Sequence, residues 1–122
     1  MNGNNFFVDT NFLIYLLNGN PVVNPYLGNN YFISEITEME MLGVKKISPA
    51  TLKIRRALVD NCYLINFNSE IKKIAVEIKQ KVQIKLPDAI VAASAIHIGL
   101  PIITADKDFK KIPELNLVAI TL

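Results

Sequence analysis

The run Pro87-Asp88-Ala89-Ile90-Val91-Ala92-Ala93-Ser94-Ala95-Ile96-His97-Ile98-Gly99-Leu100-Pro101-Ile102-Ile103-Thr104 decides the architecture. Proline suits the first turn of a helix, where its missing N–H goes unused, and glycine suits the position just past the end. Between them, residues 88–98 hold only Ala, Ile, Val and Ser apart from Asp88 and His97. A helix apolar on every side lies inside, between layers. Its alanines permit close approach to a sheet. Residues 101–104 then read as a strand.

Working outward, 6–8, 31–33, 63–67 and 117–120 are short apolar runs of the same strand type. Helices fall between them. One begins at 12–17, and one is capped by Ser34 and runs through Leu42 to Gly43. A third spans 50–61 behind Ser48-Pro49, and a fourth carries Ile71, Ile74, Ala75, Ile78 and Val82 on one face by the 3.6-residue period. Lys73, Glu77 and Lys81 run down its other face as a solvated side. Strands that alternate with helices and read as continuous apolar runs imply a parallel sheet covered on both faces. Residues 18–30, with two Pro, two Gly and five Asn, read as a surface connection.

The chain has 122 residues, enough for one domain spanning 1–122 and not for two. With 51% hydrophobic and 20% charged residues, wholesale disorder is excluded. A net charge of +2 is too mild to mark the whole surface for nucleic acid, although a local patch fits within that total. The lone Cys62 excludes an internal disulfide and any Cys-based zinc site, and the lone His97 excludes multi-His centres. A reducing cytoplasmic setting is expected, with no secretory signal at the start. The uncharged stretches 10–34 and 89–105 are broken by Pro and Gly, and the second falls short of the ~20 residues of a membrane span. No membrane association is expected.

Ligands of parallel sheets gather at the carboxyl ends of strands. Asp9 follows the strand 6–8 and Asp106 follows the strand 101–104. Each also reads as an ordinary helix N-cap. Asp88 is the sole acid on the apolar helix; it suits the helix dipole, but a buried charge there needs a cationic partner, Lys or metal. Glutamates 35, 38 and 40 are separated by helical phase. With Ile36, Met39 and Gly43 marking the inner face, Glu40 borders it, Glu38 points nearly opposite, and Glu35 flanks the other side. Glu40 reads either as a site residue or as a snorkelling side chain.

Four converging carboxylates repel one another, and without a counter-charge some protonate. A hard divalent cation resolves this: Mg²⁺ takes oxygen ligands, few carboxylates and several waters. An acid-only set argues against zinc and points to phosphodiester hydrolysis more than to peptide hydrolysis.

Four stretches in this order resemble the PIN-domain family, and within it the VapC-like toxins of bacterial toxin–antitoxin pairs. They are Phe7-Val8-Asp9-Thr10-Asn11, then Ile33-Ser34-Glu35-Ile36-Thr37-Glu38-Met39-Glu40, then Pro87-Asp88-Ala89-Ile90-Val91-Ala92-Ala93-Ser94-Ala95, and finally Ile103-Thr104-Ala105-Asp106-Lys107-Asp108-Phe109 with Ile112-Pro113. The resemblance covers nearly the whole chain. It implies a three-layer α/β/α sandwich with a mostly parallel sheet of about five strands, and an Mg²⁺- or Mn²⁺-dependent endoribonuclease. Asp9, Glu40, Asp88 and Asp106 would be the acidic quartet, with Asp106 and Asp108 competing for the fourth position. Asn11 and Thr104 would shape the pocket. A homodimer and a cytoplasmic antitoxin partner are implied as well. A non-catalytic PIN-like module that binds RNA or protein is the alternative.

RNA needs cations beside an acidic pocket. Lys45, Lys46, Lys53, Arg55 and Arg56 form the densest basic stretch, readable as a backbone contact or as a plain solvated face. His97 at the helix end reads as structural, as does Cys62.

Overall fold

A computed structural model describes residues 3–122. Five strands form one sheet: β1 (Asn5–Val8), β2 (Asn30–Ser34), β3 (Tyr63–Ile65), β4 (Ile102–Thr104) and β5 (Leu117–Ala119). The order is β3-β2-β1-β4-β5 and every pairing is parallel, where a mostly parallel sheet was expected. Five α-helices connect or flank them: α1 (Thr10–Leu17), α2 (Glu35–Leu42), α3 (Pro49–Asp60), α4 (Ser69–Lys81) and α5 (Leu86–Ile98).

Alternation along the strands makes two cores. Phe7 and Ile102 face α4 and α5, meeting Ile71, Ala75, Ala89, Ala92 and Ala93. Val8, Ile33 and Ile103 face the opposite way, toward Phe12, Leu13, Val23, Met41 and Val59. The result is the expected α/β/α sandwich. Ala89, Ala92, Ala93 and Ala95 of α5 are fully buried. The buried Ser94 hydroxyl donates back to the Ile90 carbonyl at 2.7 Å, so its polarity is satisfied within the helix. Gly99 ends α5 at φ 74°, the left-handed cap that glycine adopts without strain. His97 is exposed at this end, 3.4 Å from Asn68, so α5 is not enclosed on every side.

Several local expectations change. Residues 18–30 are not irregular throughout: Pro21–Tyr26 form a 3₁₀ helix capped by Asn20. Proline fixes φ near the helical value, and Val23 gains burial in the second core. β3 ends at Ile65 because the Phe67 amide leaves the sheet and donates to Glu35 Oε1 at 2.5 Å. The inner face of α2 is Thr37 and Met41, both fully buried, whereas Met39 is 58% exposed. The expected face of Ile36, Met39 and Gly43 is thus rotated by about a residue: a small threonine lies against the sheet, and hydrophobicity alone pointed to the methionine.

Candidate active site

Strand register brings the first two acids together. β1 and β4 pair Val8 with Ile103, so Asp9 and Thr104 leave the sheet side by side. β1 lies between β2 and β4, where successive connections run off in opposite directions, and such a switch point is where open α/β sheets hold ligands. Thr104, 1% exposed, donates from Oγ1 to Asp9 Oδ2 at 2.5 Å and accepts from the Asp106 amide at 3.0 Å. One hydroxyl therefore holds the carboxylate of Asp9 and the main chain of Asp106.

Asp9 Oδ1 accepts from the Phe12 amide at 2.9 Å and caps α1. Asp106 Oδ1 accepts from the Asp108 amide at 2.9 Å and caps the 3₁₀ turn Lys107–Lys111. The capping and site readings of these residues are compatible, since capping uses one oxygen of each carboxylate. Glu40 comes from the last turn of α2, where its Oε1 accepts from Thr10 Oγ1 at 2.7 Å; that hydroxyl also lies 3.4 Å from Thr37 Oγ1. Asp88 stands in the first turn of α5.

Asp9, Glu40, Asp88 and Asp106 line one cleft of about 120 Å³, together with Thr10, Asn11 and Val91. Thr104 supports it from behind. Asp108 does not line it, and is held instead by Lys111 Nζ at 3.0 Å. Thr10 and Val91 were not anticipated. Thr10 is legible only as the neighbour of Asp9, and Val91 only as one helical turn beyond Asp88; neither residue type announces a site.

No basic side chain lines the cleft. Burial pushes the Asp9 carboxyl up, against the hydrogen bonds from Thr104 and Phe12, and the Asp106 charge adds to the rise. Burial also raises Asp88, followed by the charges of Asp106, Glu40 and Asp9; Lys85, the residue before α5, opposes them. The expected cationic neighbour of Asp88 is therefore Lys85 in part, but it forms no ion pair with Asp88 among the described residues. Among the described residues no three or more His, Cys, Asp or Glu side chains stand close enough together to hold a metal ion as a group. The acids line the walls of the cleft, as mutually repelling groups do. Hard oxygen donors on open walls fit a cation that binds through one or two carboxylates and keeps its waters.

The densest basic stretch lies elsewhere. Lys45 and Lys46 sit in the α2–α3 connection, Lys53, Arg55 and Arg56 lie on α3, and none lines the cleft. Arg55 donates to the Met41 carbonyl at 3.1 Å, satisfying the last turn of α2. Arg56 lines an open groove with Glu38, Met39, Leu42 and Gly43. Among the described residues no helix is long and apolar enough to cross a membrane.

Comparison with known proteins agrees with this fold. The PIN domain matches residues 6–115. A chain of a toxin–antitoxin complex from Klebsiella pneumoniae is 34% identical, with 93% of this chain and 96% of that one covered and a TM-score of 0.79. The fold is shared with a chain of VapBC2 from Rickettsia felis, solved with a promoter DNA fragment, at 24% identity, coverage of 95% and 98%, and a TM-score of 0.74. It is shared also with DNA-bound VapBC from Salmonella typhimurium, at 19% identity, coverage of 94% and 97%, and a TM-score of 0.79. Among curated protein sequences none matches significantly. With the family spanning most of the sequence and a relative one-third identical over nearly all of it, the chain belongs to the PIN-domain family.

Proposed function

We propose that this protein is a metal-dependent endoribonuclease and the toxin of a type II toxin–antitoxin pair. The observation that carries the reading is one cleft at the switch point of a parallel sheet, lined by Asp9, Glu40, Asp88 and Asp106 and by no basic residue. Asp9, Glu40 and Asp88 are the residues that would hold Mg²⁺ or Mn²⁺, one or two of them directly and the rest through its waters. When bound, the cation lowers the barrier to phosphodiester hydrolysis by stabilising charge on the phosphoryl oxygens.

The chain's own groups do the positioning. Thr104 fixes the Asp9 carboxylate, and Thr10 fixes Glu40. Asp106 accepts a hydrogen bond from the attacking water and orients it in line with the RNA phosphate. Its own direction is set by the Asp108 amide and by Thr104. Asn11 lines the mouth, where a side-chain amide can bond a substrate oxygen. Lys45, Lys46, Lys53 and Arg56 line no wall of the cleft, which leaves them outside the RNA path proposed for it.

The Klebsiella relative comes from a toxin–antitoxin complex, and this supports an antitoxin as partner; a cytoplasmic setting and a toxin homodimer complete the proposed reading. Exposed apolar side chains on α2 and α5, the helices that carry Glu40 and Asp88, suit a protein cover: Met39 and Phe67 line a hollow with Ile36 and Ile90, and Leu86 stands one turn before that isoleucine.

Cleavage of single-stranded RNA with added Mg²⁺ or Mn²⁺ is expected for the wild type. Asp9→Asn should lower it by more than about 100-fold while near-UV circular dichroism stays native. Equal cleavage by the variant removes this cleft from the reaction. RNA bound without any cleavage by the wild type indicates a binding module instead.

A further inference from the structure

Beside the acidic cleft lies a second groove of about 310 Å³, lined by Lys107, Lys110, Asp106, Ala105 and the residues around Thr121. Asp106 lines both cavities, so it stands on the wall between them. The 3₁₀ turn that carries these lysines sorts its side chains strictly. Phe109 is buried in the core. Lys111 is taken up by Asp108 at 3.0 Å and by the Gln83 carbonyl at 3.2 Å. Residues three apart eclipse in a 3₁₀ helix, which turns Lys107 and Lys110 the same way. Both line the groove, and neither forms an ion pair among the described residues. Small side chains, Ala105 and Ala119, leave the floor open between them and the end of β5.

We propose that this groove is a phosphate subsite, where Lys107 and Lys110 hold a backbone phosphate flanking the scissile one on the same RNA strand. The inference rests on the ribonuclease reading and adds the polarity that the cleft lacks. A polyanion is repelled by four carboxylates, and Lys107 and Lys110 are unpaired cations in a groove that shares the Asp106 wall with the cleft. The basic stretch around α3 is denser in sequence, but none of its residues shares a wall with the cleft.

The test measures binding of a short fluorescent single-stranded RNA to Asp9→Asn protein, across a salt series, with and without Lys107→Ala/Lys110→Ala. Both lysines are exposed, so the fold is expected to survive, and the thermal midpoint is checked first. Loss of that phosphate contact should weaken binding about tenfold at low salt and reduce the slope of log affinity against log salt by about 0.7. Lys107→Arg/Lys110→Arg should restore both quantities. A parallel Lys45→Ala/Lys46→Ala/Lys53→Ala variant should leave the slope nearer that of the parent. Unchanged affinity and slope in the Lys107/Lys110 variant overturn the proposal, as does a loss confined to the α3 set. Loss of RNA binding there, in a protein whose wild type never cleaves, keeps the subsite and removes the nuclease. Cleavage by the wild type, with RNA binding indifferent to both lysines, does the reverse.

Discussion

Two cavities of about 120 Å³ each have opposite linings. One is the acidic cleft at the carboxyl ends of β1 and β4. The other lies between α4, α5 and the chain before β5, where Ile74, Ile78, Val82, Ile96 and Ile112 supply the wall. Lys81 and Glu114 close its rim with an ion pair of 3.8 Å between exposed side chains, an interaction of little energy in water. Helix α5 serves both regions: Ile96 near its end lines the apolar cavity, while Asp88 and Val91 near its start line the cleft. The difference teaches where stability and chemistry separate. The α4–α5 region gains free energy from burial. The cleft loses it, because Asp9 and Asp88 must ionise where burial and neighbouring charges oppose them.

Substitutions in the two regions should therefore fail differently. The largest loss of stability is expected from Ile71→Ala in the fully buried face of α4. It should cost about 2–5 kcal/mol by denaturant unfolding, while RNA cleavage per folded molecule stays near wild type. A matching fall in cleavage by protein that remains folded would erase the separation of the two regions. A smaller stability loss, with a larger loss of activity, is expected from Thr104→Val. The isosteric change removes the bond to Asp9 and the acceptor for the Asp106 amide. It should cost about 1–3 kcal/mol and lower cleavage about 10–100-fold; Thr104→Ser should recover most of both. Full activity in Thr104→Val would mean that Asp9 needs no such orientation.

The sequence made the helix–strand alternation legible, because period and punctuation agree at α4 and α5, where Pro87 and Gly99 bracket an alanine-rich run. All four acids were legible too as candidates: Asp9 and Asp106 at strand ends, Asp88 on an apolar helix, and Glu40 by its phase on α2, where it is nonetheless exposed. Glu40 was reached through an imperfect phase, with Met39 assigned inward. Thr37 holds that place because a threonine fits beneath Thr10, a contact across 27 residues that no local pattern reveals. Density of charge along the chain pointed to 45–56 as the basic surface. The fold instead sets Lys107 and Lys110 beside the cleft, and one of the α3 arginines is occupied by a helix end. Removing the four cleft acids from the eleven in the chain leaves seven against thirteen basic residues, so the nearly neutral total conceals an acidic pocket in a basic remainder.

Metal binding tests the central claim most directly, because it asks whether the four acids act as one centre. Asp9 and Asp88 titrate higher in the folded chain than the ordinary value of 3.8. The folded, metal-free protein thus holds more protons than the unfolded chain, so this contribution to stability is present below the ordinary carboxylate range and declines as pH rises through the raised values. Mn²⁺ competes with those protons. Calorimetric titration with Mn²⁺, repeated from mildly acidic to neutral pH, should show saturable binding that tightens with pH, accompanied by proton release and by a growing rise in thermal midpoint. Asp9→Asn and Asp88→Asn should each weaken it sharply. Binding of equal strength in both variants, or binding indifferent to pH across the raised carboxylate range, would contradict an ion held in this cleft.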